Sequence, residues 1–411
     1  MDSRLARYGS ALRTGTLGPL FALALGACGS DDGTLKPPPP GQGTQLEMTS
    51  MLTPGQEIER CRFFVAPTEG LYIRRDEVRY TAGSHHVLLY RTPYKSIPTK
   101  DFRGQTHDTS GVFDCPDGAG AYFQITGVIG GAQSARGDSM VDLPEGVAVY
   151  IPGGSVLLMN THYLNASPSP VETTARINLY TIPKEQMQAE AGVLFFYNPF
   201  IRVPALGTTS ARMRCPVSRD ITLVNAQSHM HARGMNYVAD WLPTGSASSE
   251  RLYEGTEWEN VAVKHFGAGK PLAAGSAIDY RCDYRNGESR EVTQGPSAHD
   301  EMCMFIGAYY PRQPELEGCF DPTYIGTGTR SCGESLGCVQ QAGGDFRAHN
   351  ACMVESCAAV APQLTAAYKC MGRAWGGACK ADCQADPTKC QSCLQAACGT
   401  EFSACQAARC P

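Results

Sequence analysis

The stretch ITLVNAQSHMH, residues 221–231, decides how this chain is read. Ile221 to Gln227 is a short apolar run of the composition that forms buried strands. It ends in His229-Met230-His231. On a strand, residues i and i+2 share a face, so His229 and His231 point one way and Met230 the other. Two imidazoles on one face at that spacing can converge on a single metal ion.

Similar runs recur on both sides: His86 to Arg91, Val147 to Ile151, Ser155 to Leu164, Ala175 to Thr181, Val261 to His265 and Met302 to Tyr310. Gly and Pro separate them, and no helical period is sustained over residues 46–325. That is the signature of β-sandwiches or jelly rolls, and the length suits two of them. A break near Pro183 to Gly192 divides the region into 46–185 and 186–325.

Composition agrees with a packed chain. Of 411 residues, 42% are hydrophobic and 18% charged, and the formal net charge is −5. No basic run offers a footprint for nucleic acid. No apolar segment reaches the length of roughly 18 residues needed to span a membrane. The 19 cysteines point to an oxidising compartment, to metal sites, or to both.

The N-terminus addresses the compartment. Arg4, Arg7 and Arg13 precede an apolar stretch, Leu17 to Leu25, that ends in Leu25-Gly26-Ala27-Cys28. This resembles a bacterial lipoprotein signal over residues 1–27, with Cys28 as the lipidated residue. The blander reading is a plain secretory signal with an incidental cysteine. Residues 28–45, rich in Pro and Gly, read as a tether. The expectation is a protein of the cell envelope, in the periplasm or at the outer membrane or cell surface. It would meet the membrane through a lipid anchor only.

The remaining cysteines are unevenly spread, with six in residues 29–330 and twelve in 331–411. The tail repeats a CxxxxC spacing, Cys352 to Cys357 and Cys393 to Cys398, within Ala- and Gln-rich sequence. It reads as a small helical module stapled by disulfides, with little apolar core of its own and a capacity for protein contacts. Cys379, Cys383, Cys390 and Cys393 also resemble zinc-ligand pairs, the competing reading.

Three further positions join the H-x-H pair. His85-His86 opens one strand, His162 lies within another, and Met302 precedes Cys303 at the start of a third. Adjacent residues on a regular strand face opposite ways, so His85 and His86 share an ion only at a strand end or bulge. Strand parity puts Met302, Met304 and Ile306 on one face and Cys303 and Phe305 on the other. A thioether with imidazoles suits copper; zinc prefers His, Cys or carboxylate. Each element alone is more often a core or surface residue than a ligand. His107, His265, His299 and His349 read as surface or hydrogen-bonding residues. Asp300-Glu301 reads equally as support for a site and as a solvated loop end.

Taken in order, His85-His86, then Thr161-His162-Tyr163, then His229-Met230-His231, then Glu301-Met302-Cys303, the pattern resembles the copper type II, ascorbate-dependent monooxygenases. This is the family of peptidylglycine α-hydroxylating and dopamine β-monooxygenases. The intervals are similar too: 76 residues from His86 to His162, 67 from His162 to His229 and 71 from His231 to Met302. The resemblance covers about residues 46–325 and excludes the tail.

It implies a mainly β fold of two consecutive jelly-roll-like sandwich domains, each with one copper, here followed by the Cys-rich module at 331–411. His85, His86 and His162 match the ligands of the electron-transfer copper. His229, His231 and Met302 match those of the copper that meets dioxygen. The implied reaction hydroxylates a C–H bond of a small organic substrate with O2 and two electrons from ascorbate or another reductant. The family's disulfides match Cys61 with Cys115, Cys215 with Cys319, and Cys282 with Cys303. Departures are also clear. The peptide-amidating branch has Arg two residues before its H-x-H, where Gln227 stands here, and Asn and Tyr where Met304 and Ile306 stand. A peptide ending in glycine is therefore a poor substrate candidate. The alternative is a non-catalytic copper-binding or surface-interaction lipoprotein on the same fold.

Overall fold

The structure, a computed structural model, describes residues 35–411 apart from 82–83, 103, 134–138, 320, 322–324 and 343–345, and leaves the side chains of residues 85, 346–347, 376, 384–385 and 387 undescribed. The leader and Cys28 therefore lie outside the described residues.

The first unit contains β1 (Gly43–Leu52), β2 (Glu57–Val65), β3 (Leu71–Tyr80), β4 (Ser84–Arg91), β5 (Val112–Asp114), β6 (Gly127–Ala132), β7 (Val147–Ile151), β8 (Val156–Leu164) and β9 (Val171–Thr181). With the short β10 (Ala189–Glu190) they form two five-stranded sheets, ordered β1-β9-β3-β7-β10 and β5-β2-β8-β4-β6. The edge strand β1 shows why. Leu46, Met48 and Leu52 are buried while Glu47, Thr49 and Met51 are exposed, the alternation of a strand with one wet face. In contrast, the central β8 is buried from Val156 through Tyr163, because both its faces are covered.

The second unit contains β11 (Gly192–Tyr197), β12 (Arg202–Val203), β13 (Thr208–Val217), β14 (Ile221–His229), β15 (Gly234–Leu242), β16 (Glu250–Gly255), β17 (Lys264–Leu272), β18 (Ser276–Arg285), β19 (Val292–Thr293) and β20 (Met304–Tyr310). Its sheets run β13-β18-β15-β16 and β11-β20-β14-β17, beside a two-stranded β12-β19 ribbon. The strand expected at Val261 to His265 begins instead at Lys264. Val261 is a buried plug in the preceding loop. β17 is an edge strand, where Gly267, Gly269 and Pro271 are tolerated and lysines discourage further pairing. That composition hid it.

The two sandwiches share a core. Val193, Val224, Met304, Ile306 and Ala308 of the second pack in one cluster with Leu88, Val128 and Met140 of the first. The seam therefore lies between the β4 and β6 side of one sheet and β11, β20 and β14 of the other.

Two bulges set which side chains face this seam. Between Leu223 and Gln227, β14 carries one residue more than its partner β20. Ile221 and Leu223 point into the second sandwich core; past the bulge it is Ala226 and Met230 that do so. Gln227 and His229 are thereby turned toward the first sandwich. In β4, Ser84 pairs with Tyr163 and His86 with His162, so the ladder skips His85. The histidine pair sits at a bulge, the condition its spacing required.

The tail contains α1 (Cys332–Ala342), α2 (Phe346–Val354), α3 (Ala361–Gly376), α4 (Lys380–Ala385), α5 (Pro387–Ala397) and α6 (Gly399–Ala407). Its twelve cysteines form six disulfides, 332–405, 338–352, 357–410, 370–398, 379–393 and 383–390. The cysteines that resemble zinc pairs are all consumed in these bonds. The tail is not, however, a body apart. Val339, Met353, Val354, Val360, Leu364 and Ala367 are buried in the same cluster as Phe305, Tyr280 and Tyr237 of the second sandwich. The Gly326 to Thr329 stretch is fastened, with Thr327 N donating to Val354 O at 2.9 Å and Gly328 N to Ser356 O at 3.0 Å. A Cβ on Gly328 would stand 2.3 Å from Glu355 O, so only glycine permits this approach. The tail borrows its apolar core from the sandwich, which the cysteine count alone could not reveal.

Truncating Leu364 to Ala should therefore cost about 2–5 kcal/mol. Calorimetry should show the transition of the second sandwich falling together with that of the tail. A tail that melts alone, leaving the sandwich transition in place, would contradict the shared core.

Candidate metal centre

Three neighbouring strands of the first sandwich present a row of polar side chains at the seam. β2 pairs with β8 so that Glu59 opposes His162, and β8 pairs with β4 so that His162 opposes His86. Directly opposed residues share a face. Glu59, His162 and His86 are all buried, and one ligand atom from each lies within 4.8 Å of the others. From the second sandwich, His229 and His231 point toward the same place.

The four imidazoles form a continuous run. Ring centroids are 5.4 Å apart for His86 and His162, 5.8 Å for His86 and His229, and 5.3 Å for His229 and His231. Met302 and Met304 line a cavity of about 1080 Å³ between the sandwiches together with His86, His229 and Glu59. Met304 pairs directly with His229 across β20 and β14. Cys303 and Phe305 face the opposite way, into the core of the second sandwich, as strand parity requires. The side chain of His85 is outside the described residues, as is Cys28.

Hydrogen bonds select the nitrogen that each ring offers. His162 Nε2 donates to Glu57 Oε1 at 3.0 Å, and the same oxygen accepts from Ala298 N of the second sandwich at 2.8 Å. The bond from His162 holds Glu57 down at a pKa of about 2, so it accepts as a carboxylate. The lone pair of His162 is then on Nδ1. His229 Nδ1 donates to Gln133 Oε1, whose own amide donates to Gln227 Oε1 at 3.0 Å and Ser228 O at 3.1 Å. His231 Nδ1 donates to Asp300 O at 3.1 Å. Both rings of the H-x-H pair therefore carry their lone pairs on Nε2. Such outer contacts orient metal-binding histidines and raise their basicity.

Burial favours the neutral form of His231, bringing its pKa down to about 4. A neutral imidazole is the form that binds a metal. Glu301 accepts from His231 N at 3.0 Å and Arg233 N at 2.8 Å, closing the turn after the H-x-H pair. Desolvation pushes this carboxyl up to about 7. Asp300 and Glu301 thus support the site, one through its carbonyl and one through its side chain. The backbone at Met302 is held by Tyr284, whose hydroxyl donates to Met302 O at 2.7 Å. The Cys282–Cys303 disulfide lies directly behind it, with Cα atoms 5.9 Å apart. The other sandwich disulfides join Cys61 to Cys115 and Cys215 to Cys319.

Glu57, Glu59 and Gln133 escaped the sequence reading. The first two left a trace, since they share strand parity with the buried Cys61. Gln133 left none, because it follows β6 in a segment placed by long-range contacts. Asp76 of β3 fixes Gly131 near Gln133: its carboxylate accepts from Gly131 N at 2.7 Å and from Val141 N at 2.9 Å. A Cβ on Gly130 would stand 2.5 Å from Asp76 Oδ2, so glycine admits the carboxylate.

The donor chemistry fits copper. Imidazole suits both copper oxidation states, and the thioethers at the second group favour Cu(I). His107 is hydrogen-bonded to Asp101 at 3.0 Å and His299 is exposed at 81%, so neither belongs to the run.

Residues 191–327 match the family described as copper type II ascorbate-dependent monooxygenase, C-terminal domain, in accord with the resemblance of the sequence. Solved structures give weaker likenesses. The major capsid protein P2 of bacteriophage PM2 is 11% identical, over 64% of this chain and 97% of that one, with a TM-score of 0.25. VP2 of infectious bursal disease virus is 10% identical, over 66% and 70%, with a TM-score of 0.17. Vicilin from Solanum lycopersicum is 6% identical, over 69% and 84%, with a TM-score of 0.15.

Two outcomes are expected. Gln133→Leu removes the acceptor of His229 Nδ1 and should weaken copper at the H-x-H group by about 10–100-fold. Competition titration with a chelator measures this, and Gln133→Glu should restore most of the affinity. The second concerns pH. Burial raises Asp76 from the usual 3.8 to about 6. A carboxyl raised on folding contributes stability that is full below pH 3.8 and is lost as pH rises through about 6. Hydrogen-exchange protection of the Gly131 and Val141 amides, corrected for intrinsic rates, should therefore fall from pH 4 to pH 6 and stay flat in Asp76→Asn.

Proposed function

We propose, from a chain whose residues 191–327 match the copper type II ascorbate-dependent monooxygenase C-terminal domain, that this protein is a copper-dependent monooxygenase. It hydroxylates a C–H bond of a small organic substrate with O2 and two electrons, from ascorbate or another reductant. The observation that carries this reading is the unbroken run of His162, His86, His229 and His231 along the seam, of which His86 and His229 line one cavity with Met302.

On this reading His86 and His162, joined by His85, hold one copper, and His229, His231 and Met302 hold the other. Copper, when bound, would supply one-electron chemistry and the activation of dioxygen. The protein's part is orientation and exclusion of water. Glu57 fixes the His162 tautomer and, through Ala298 N, ties the sandwiches together at that ring. Gln133 reaches across the seam to do the same for His229. The soft thioether of Met302 would favour the reduced form of a bound copper. The short ring-to-ring path gives electrons a route between the groups that does not cross bulk solvent.

Leu88, Tyr90, Phe102, Phe195 and Tyr197 wall the cavity, and Asp117 and Glu317 also line it. Among the described residues, no Lys or Arg does so. Gln227, at the place of the carboxylate-binding Arg of the peptide-amidating branch, is turned to Gln133. An apolar substrate that is neutral or carries an amine fits such walls; a carboxylate does not. Nine disulfides support an oxidising compartment, and a lipid anchor at Cys28 would hold the enzyme in the cell envelope.

The test uses the copper-loaded chain with ascorbate and a panel of amine, phenol, neutral and carboxylate substrates, read by O2 uptake and product. Met302→Ala should lower product formation by more than about 100-fold while ascorbate still reduces the other copper; loss of a ligand should exceed what loss of an outer contact costs. His162→Ala should instead slow electron delivery. Turnover unaffected by both changes would refute the assignment. Copper binding with no O2 uptake under any reductant would favour the non-catalytic alternative.

A further inference from the structure

We propose that Glu59 is itself a copper ligand, so that the first site is a mixed carboxylate and imidazole site rather than an all-histidine one. The proposal rests on the reading that His86 and His162 hold copper, and it adds a donor that the resemblance does not supply.

The register makes the case. Glu59, His162 and His86 stand side by side on β2, β8 and β4, on one face of one sheet. Their ligand atoms lie within 4.8 Å of one another, a spacing that a single ion can bridge. Each of the three is buried, with 5%, 2% and 5% exposure for Glu59, His162 and His86. Among the described residues, the hydrogen-bonding partner of the Glu59 carboxylate is the neutral amide of Asn160, at 2.9 Å. None of the described ion pairs includes it; of its titratable neighbours, His162 favours its charge while Asp117 and Glu57 oppose it. An isolated carboxylate in such a place is costly. A cation held between His86 and His162 neutralises it, and Asn160 orients the carboxylate toward the rings.

The consequence is a division of labour. An anionic, hard oxygen donor favours Cu(II) over Cu(I), whereas the thioether of Met302 favours Cu(I). Glu59 therefore lowers the potential at the first site and Met302 raises it at the second. One electron leaving the first site takes its copper from Cu(I) to Cu(II) and reduces its neighbour by the same single electron. The named reductant, ascorbate or an equivalent donor, then restores the first.

The experiment uses the full chain with His229→Ala and His231→Ala, so that the first site is observed alone. Cu(II) and Cu(I) affinities are measured by chelator competition, and the Cu(II) site by EPR. Glu59→Gln should weaken Cu(II) at least tenfold more than Cu(I), equivalent to a rise of about 59 mV for a one-electron couple. The hyperfine pattern should move toward that of a neutral imidazole set. Glu59→Asp keeps the charge and withdraws it by one methylene. It should fall between the two, and it carries the test should Glu59→Gln fail to fold. Copper bound with both affinities and the spectrum unchanged by Glu59→Gln would overturn the proposal and leave the proposed function standing. No copper bound while Glu59 is intact would overturn both.

Discussion

The packing of one sandwich against the other governs everything at the site. Val224, Met304, Ile306 and Ala308 are buried against Leu88, Val128 and Met140, so the seam is apolar. At its end the same two sheets carry histidines in place of aliphatic residues. Neither sandwich alone assembles the run of four rings, since His86 and His229 come from different units and stand 5.8 Å apart. The seam is also pinned by polar contacts. Gln133 of the first unit bonds to Gln227, Ser228 and His229 of the second. Glu57 joins His162 of its own unit to Ala298 of the other. Each pin ends on an imidazole, so the geometry of the rings and the docking of the sandwiches are one constraint.

The acids of this region divide into distinct tasks. Glu57 is ionised, because His162 and a backbone amide donate to it. Glu301 and Asp76 serve as acceptors for backbone amides, one closing the turn after the H-x-H pair and the other holding the segment that presents Gln133. Desolvation opposes the charge of both, yet their hydrogen bonds keep them where the chain needs an acceptor. Glu59 differs from these three, since its carboxylate accepts from the side-chain amide of Asn160 and stands beside His86 and His162.

The Cys-rich tail extends this rigidity rather than hanging from it. Its helices complete the core of the second sandwich through Val360, Leu364 and Ala367. Asn350 of α2 reaches Gln294, which lines the cavity, at 3.4 Å. Disulfides compensate for the small apolar area that such short helices bury. In the sandwiches the disulfides act differently: Cys282–Cys303 ties down the chain beside Met302, just before β20, rather than closing a module.

Much of this was legible in the residues alone. Short apolar runs set off by Gly and Pro marked the strands β4, β7, β8, β9, β14 and β20, because a strand buried on both faces is apolar in its own residues. The H-x-H pair, the parity of Met302 and Cys303, and the helical disulfide tail follow from local spacing. Other features were out of reach. A bulge inverts parity without altering composition, so nothing local announced that His229 would turn from the core to the seam. β17 was obscured by its glycines and proline, which an edge strand tolerates. Gln133, Glu57 and Glu59 act through hydrogen-bond partners 94 to 241 residues away, as the distant pairing of Glu57 with Ala298 shows most plainly. Spacing along the chain reports which side chains share a face; which faces meet is settled by packing between units, and that depends on contacts no local pattern encodes.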